Sequence, residues 1–428
     1  MKYSSGLKQT LLHLVLKSKG LKQRYHSLDV FRGATVALMI LVNNPGSWAH
    51  IYAPLEHAPW HGVTPTDLVF PFFLFAVGNA LAFVMPRLEA AGDKAFWKKV
   101  IKRTVLILLI GLFLNWSPFI KWSGDSLVFK YWVDPANPEN GIRILGVLQR
   151  IALCYFFGSV IIYYFKPRGA FYAGSLLLLI YWLLCFTLGT GDPYSLAGWF
   201  GTDIDKAILH VPHMYKGEGL PFDPEGIPST MAAIVQVIFG YLVGNYIRTK
   251  GNLPKELQSA PIDDEQRAGF GPYPMLAGLF VTGVALVVTG LVWGQVFPIN
   301  KKIWTSSYTV YTTGLAIMTI GTMIYFIEIK KMRGWLSHFF DVFGKNALFV
   351  FALSGFLPRV VGLFRIPNGV SDAGKQQYQS AFGWFYEHVC KSIPGQPENG
   401  SLVYAIIMIL FYWAICYWLD KKKIYIKV

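Results

Sequence analysis

Residues 68–85 read LVFPFFLFAVGNALAFVM, eighteen positions without a charged side chain. Hydrocarbon offers no partner for free backbone N–H and C=O groups, so a segment that crosses a bilayer must be a helix of about 20 mostly apolar residues. Uncharged apolar windows recur at 171–188, 227–247, 273–299, 303–327 and 402–419. The 428 residues are 54% hydrophobic and only 15% charged, and the mean hydropathy is +0.40. A soluble domain carries about 25% charge. The expected fold is therefore all-α: a polytopic integral membrane protein with about ten or eleven transmembrane helices in one bundle. Expected spans are 28–46, 66–86, 99–116, 144–165, 169–189, 228–247, 274–294, 304–327, 338–357 and 402–419. They form a transmembrane domain over 28–420, between a basic amino-terminal segment, 1–27, and a basic tail, 421–428.

The net charge of +15 is explained by topology and does not point to nucleic acid, since no soluble basic module interleaved with aromatics is present. The loops on one side, both termini included, hold 25 Lys and Arg, whereas the opposite loops hold 11. This bias places both termini in the cytoplasm. The first 24 residues are Lys-rich around a short LLHLVL core, and read as a surface-lying segment, not a cleaved leader. Cys154, Cys185 and Cys416 fall inside apolar spans and Cys390 in a loop, without zinc spacing, so no disulfide framework and no metal is expected.

The polar stretch NNPGSWAHIYAPLEHAPWHGVTPTD, residues 43–67, precedes the opening span. It holds three His, one Glu and one Asp but no Lys or Arg, and faces outward in this topology. Histidine titrates near neutrality, so His57 is the leading candidate either to take a proton from a nucleophile or to carry an acyl group itself. Asp67 or Glu56 can fix its tautomer, and Asn43 can donate to a developing oxyanion. His50, His57 and His61, or His210 and His213, match no strong zinc pattern.

Further polar clusters precede or open the other outward-starting spans: Arg143, Gln149 and Arg150; Asp223, Glu225, Ser229 and Thr230; Asn300, Lys301, Lys302, Trp304 and Ser306. Helix amino-termini converging on one face favour an anionic ligand group. Arg32, Arg150 and Lys345 are the basic residues left inside spans, where charge is costly and is either paired or functional. Arg32 can pair with Asp29 or snorkel. Lys345, beside Asn346, can be an interfacial anchor.

Seven segments together resemble the heparan-alpha-glucosaminide N-acetyltransferase family of membrane acyltransferases, particularly its bacterial members. They are SLDVFRG (27–33), LVNNPG (41–46), HAPWHGVTPTDLVFPFFLFAVG (57–78), GVLQRIALCY (146–155), FDPEGIPST (222–230), NKKIWTSSY (300–308) and GKNAL (344–348). The resemblance implies transfer of acetyl from acetyl-CoA to the amino group of a glucosamine-type sugar at the outer side of a bacterial inner membrane. It implies no metal, and it admits a homodimer. The family's catalytic His falls on His57, its Asn on Asn43, its Asp on Asp67 and its Gln-Arg pair on Gln149 and Arg150. Glu225, Asn300, Lys301 and Trp304 are expected to hold acceptor or donor. Arg32, Lys345 and Arg103, at the inner end, are expected to meet the phosphates of CoA. The animal members carry a large luminal domain ahead of the first matching span, which leaves the acceptor open among free amino sugars, chitin fragments and peptidoglycan-derived sugars. The rival expectation is a transporter of amino sugars without bond chemistry. It is disfavoured because the middle thirds of the spans hold almost no Asp or Glu to bind a coupling ion.

Overall fold

The computed structural model describes residues 25–251, 271–370 and 375–426. The amino-terminal surface segment expected over the first 24 residues lies outside them. The main helices are α1 (His26–Asn43), α2 (Val69–Ala91), α3 (Asp93–Trp116), α4 (Val147–Leu188), α5 (Gly201–Leu209), α6 (Ile227–Lys250), α7 (Pro272–Trp293), α8 (Ser306–Ile324), α9 (Trp335–Lys345), α10 (Ala347–Val361), α11 (Ala381–Phe385) and α12 (Pro397–Lys421). Among the described residues, six helical stretches are long and apolar enough to cross a membrane, or seven if α9 and α10 count as one bent span. Helix α4 is two helices joined at Lys166, whose φ of 57° breaks the run just before Pro167. A residue preceding proline is pushed out of the α region, so the break falls between the two spans expected there. Each expected span coincides with a helix, with one alteration. The span at 338–357 is a broken pair, α9 and α10, bent by 77° at Asn346.

Polar hydroxyls join the apolar core, and apolar side chains also lie on the outside. Helix α8 buries the hydroxyls of Ser306, Ser307, Thr309, Thr312 and Thr313, and Thr312 and Thr313 donate to the carbonyls of Tyr308 and Thr309 at 2.7 Å. Val281, Val284, Val288 and Val292 of α7 are exposed. The exposed valines of α7 form an apolar outer face, as a helix next to lipid would carry, while the hydroxyls of α8 point inward.

Tight helix contacts hold the bundle, because helices surrounded by lipid gain more from close packing than from hydrophobic exclusion. A Cβ on Gly78 of α2 would lie 2.0 Å from the Val237 carbonyl of α6, and one on Gly240 would lie 2.2 Å from that of Phe75. Helices α1 and α9 touch in the same way through Gly33 and Gly344. Three antiparallel hairpins sit in the long loops. They are β1 (Ile120–Ser123) with β2 (Ser126–Phe129), β3 (Val133–Asp134) with β4 (Asn137–Gly141), and β5 (Ile366–Val370) with β6 (Gln376–Gln379). They were not expected from the sequence. Arg365 clips the first to the third by lying 3.8 Å over the Trp122 ring and 4.8 Å over that of Tyr378.

Candidate active site

The loop between α1 and α2 returns to the bundle through a 3-10 turn, Pro65–Leu68, which starts with Thr64 and carries Asp67 at its third position. Asp67 is 1% exposed and its carboxylate is crowded with donors. Its Oδ2 accepts the Ala58 N–H at 3.1 Å, the Thr64 N–H at 3.0 Å and the Thr64 hydroxyl at 3.1 Å. Its Oδ1 lies 2.7 Å from Nδ1 of His57. With Asp67 ionised, the imidazole hydrogen sits on Nδ1 and the lone pair on Nε2. The carboxylate thus fixes both the tautomer and the ring direction. Glu56 is exposed and does not take this role; its backbone carbonyl accepts the Thr64 hydroxyl at 2.6 Å.

His57 and Asp67 line a cavity of about 260 Å³ shared with Asn43, Arg143, Arg150, Glu218, Glu225, Lys301, Lys302 and Trp304. Lys301 lies over the imidazole, with Nζ 3.0 Å from Nδ1 and 3.2 Å from Nε2, and it is 3.4 Å from Asp67. Burial lowers the pKa of Lys301, and Asp67 and Glu225 offset this only in part. Arg143 donates from Nε and Nη2 to Asp223 at 3.0 and 2.6 Å and also binds Glu225. Burial would raise the pKa of Glu225, but Arg143 and then Arg150 outweigh it and hold it below the usual carboxylate range. Lys302 meets Glu218 at 2.5 Å.

Arg150 is different. It is fully buried, and its Nη2 donates to the Gly226 carbonyl at 3.2 Å and to the Ser229 hydroxyl. Its guanidinium stands 5.1 Å over Trp304, while Nε and Nη1 find no partner among the described residues. Arginine does not shed its proton, so an unmet pair of N–H donors beside a cavity is a ready place for a negative or strongly dipolar group.

Seven expected site residues are therefore gathered around one space: Asn43, His57, Asp67, Arg150, Glu225, Lys301 and Trp304. Four are placed elsewhere. Gln149 packs against Gly111 of α3. Asn300 is buried, with its side-chain oxygen accepting the Ile303 N–H at 3.0 Å and its amide 3.4 Å from His61. Arg32 and Lys345 sit at the far end of α1. Arg32 pairs with Asp29 at 2.8 Å and donates to the Gly344 carbonyl at 2.9 Å, and Lys345 pairs with Asp341 at 2.8 Å and Asp420 at 3.0 Å. Sequence reasoning missed Glu218, Tyr215 and Asp205, since isolated residues in a Gly-rich loop or a short helix carry no spacing signal. Asp205 of α5 is buried behind the cavity and caps α6, accepting the Ile227 N–H at 2.8 Å. Burial pushes its carboxyl up to about 7.

The described bundle holds a carboxylate-oriented histidine on the wall of a polar cavity, and the chain is similar to known membrane acetyltransferases. Residues 24–202 match the family model described as heparan-alpha-glucosaminide N-acetyltransferase, catalytic. The chain is 26% identical to the human heparan-alpha-glucosaminide N-acetyltransferase over 385 residues, which is 77% of this chain and 52% of the relative. It is 24% identical to the mouse protein of that name over 377 residues, 77% of this chain and 53% of the relative. The chain spans about half the length of the curated relatives it matches. The resemblance read from its motifs is upheld: the chain is similar to this acetyltransferase family over residues 24–202, and it is a multi-pass membrane protein.

Proposed function

We propose that this protein moves acetyl from acetyl-CoA to the amino group of a glucosamine-type sugar at the outer side of a bacterial inner membrane, with both termini in the cytoplasm. The observation that carries the reading is the His57–Asp67 contact of 2.7 Å inside a cavity that Asn43 and Arg150 also line. The amine nitrogen attacks the thioester carbonyl carbon, the C–S bond breaks, and CoA leaves as a thiolate. Nε2 of His57 takes the proton that the attacking amine must lose, and Asp67 stabilises the imidazolium that results. Asn43 and Arg150 face the oxygen on which negative charge develops. Lys301 lies next to Nε2 and must swing aside to admit the amine.

Transfer through an acetylated His57 uses the same geometry, with Nε2 as the attacking atom. The surplus of basic residues in the loops on the side of the termini supports the orientation. The test is release of CoA thiol by purified protein supplied with acetyl-CoA and glucosamine acceptors, wild type against His57→Ala. Acceptor-dependent release lost by about 10²–10⁴-fold in the variant is the expected result. Release that survives the change removes His57 from the chemistry. No release with any acceptor, together with amino-sugar movement across vesicles, makes the protein a transporter.

A further inference from the structure

We propose that the acceptor is a small amino sugar free of sulfate and carboxylate groups, and that the cavity rejects polyanionic sugar chains. The inference rests on the acetyltransferase reading above and narrows its substrate class. The chain as a whole carries 15 more positive than negative charges, yet the cavity does not share the surplus. Three of its four cations are already matched. Lys302 is held by Glu218 at 2.5 Å, Arg143 by Asp223 at 2.6 Å and by Glu225, and Lys301 by Asp67 at 3.4 Å. Two of these cations also cover aromatic faces, with Arg143 4.9 Å from the Tyr215 ring centre and Lys302 5.8 Å from that of Trp60.

The paired side chains are at most about a quarter exposed, and Asp223 is fully buried. An arriving sulfate that recruits one of these cations strands the partner carboxylate away from water, and a sulfate that does not recruit one faces Glu218 and Glu225 directly. Both outcomes are unfavourable in a part-desolvated site. The cation without a carboxylate partner is Arg150, and acetyl transfer itself generates one negative charge, on the thioester oxygen. The pairs do suit hydroxyls, since carboxylates accept from them and cations donate to them without a net change in charge. At about 260 Å³ the cavity is near the lower limit of small-molecule pockets, ~300 Å³, which fits a short acceptor better than a chain lying across it.

The test uses the full-length protein with acetyl-CoA and four acceptors: glucosamine, its β1–4 dimer, glucosamine 6-sulfate, and a sulfated uronate disaccharide ending in glucosamine. Acetylated product is measured by mass and free CoA by thiol release, at low and high salt. The two sulfate-free acceptors are expected to exceed the sulfated ones in kcat/KM by about tenfold or more, with little salt dependence. Glu218→Gln, which frees Lys302, is expected to narrow the gap, and Lys302→Gln, which leaves Glu218 alone, to widen it. Equal or better use of the sulfated acceptors, or the same shift in both variants, overturns the inference and leaves the acetyltransferase reading standing. No release of CoA with acceptors of either kind sinks that reading and this one with it.

Discussion

The two ends of helix α1 use the same residue types for opposite purposes. At its start, Arg32 joins Asp29 and the Gly344 carbonyl, while Lys345 bridges Asp341 and Asp420. Tyr425 donates to Asp420 at 3.0 Å, and the side chain of Asn346 both accepts the Ile426 N–H and donates to the Ile424 carbonyl. The Arg32–Gly344, Lys345–Asp420 and Asn346 bonds join separate elements there. At the other end, about 27 Å away along an 18-residue helix, Asn43, His57 and Arg150 face a cavity. There Nε and Nη1 of Arg150 have no partner among the described residues, and the ring of His57 is aimed by Asp67. A charge inside a membrane span is thus a poor sign of function by itself. The better sign is hydrogen-bonding capacity held in place and left unused.

The sharpest way to break this contrast is Asp67→Asn. The amide oxygen still accepts the N–H groups of Ala58 and Thr64, so the turn keeps its shape. Asparagine carries no charge to stabilise an imidazolium, and its NH₂ favours the tautomer with the lone pair on Nδ1. Turnover is expected to fall by about 10²–10⁴-fold with the melting temperature little changed. Activity within about twofold of wild type would show that the pair is structural, like the ion pairs at the opposite end.

A smaller effect of the opposite kind is expected from Lys345→Met. The change leaves Asp341 and Asp420 without their shared cation in a part-buried setting and loosens the join between α9 and α12. A loss of about 1–3 kcal/mol in stability is expected, read as a fall in melting temperature, with kcat and the KM for acetyl-CoA unchanged per folded molecule. A tenfold rise in that KM at constant melting temperature would instead make this end a seat for the donor's phosphates. The contrast between the two ends would then fail.

Most of this fold was legible because the bilayer leaves the chain few options. Apolar windows had to be helices, and Pro167 had to separate two of them. The His57–Asp67 pair was legible too, with its partners only ten residues apart on a loop that could not be explained as packing. What escaped was set by contacts distant in sequence. The bend at Asn346 coincides with bonds from its side chain to residues 424 and 426, and nothing in residues 338–357 announces them. Gln149 and Arg150 are neighbours in sequence, but helical geometry sends one toward Gly111 and the other to the cavity wall. Glu218 finds Lys302 across 84 positions. Charge balance in the cavity therefore had to be read from the assembled structure.

The smallest effect separates a spent group from an unspent one behind the cavity. Arg150 and Asp205 meet the same turn, Arg150 at the Gly226 carbonyl and Asp205 at the Ile227 N–H, while Oδ2 of Asp205 has no partner among the described residues. Burial, with Asp223 nearby, raises the Asp205 carboxyl to about 7. A raised acid favours the native state while protonated. Its contribution is full below the unfolded carboxylate pKa of about 3.9, falls as pH climbs from there to about 7, and is gone above that. Wild type should therefore lose melting temperature between about pH 5 and about pH 7 and level off beyond it. Asp205→Asn keeps an acceptor for Ile227 and cannot ionise, so its curve should be flatter by a few degrees over that interval. If the two curves run parallel, Asp205 is ionised throughout, and its free oxygen is matched to Arg150 rather than held as a neutral cap.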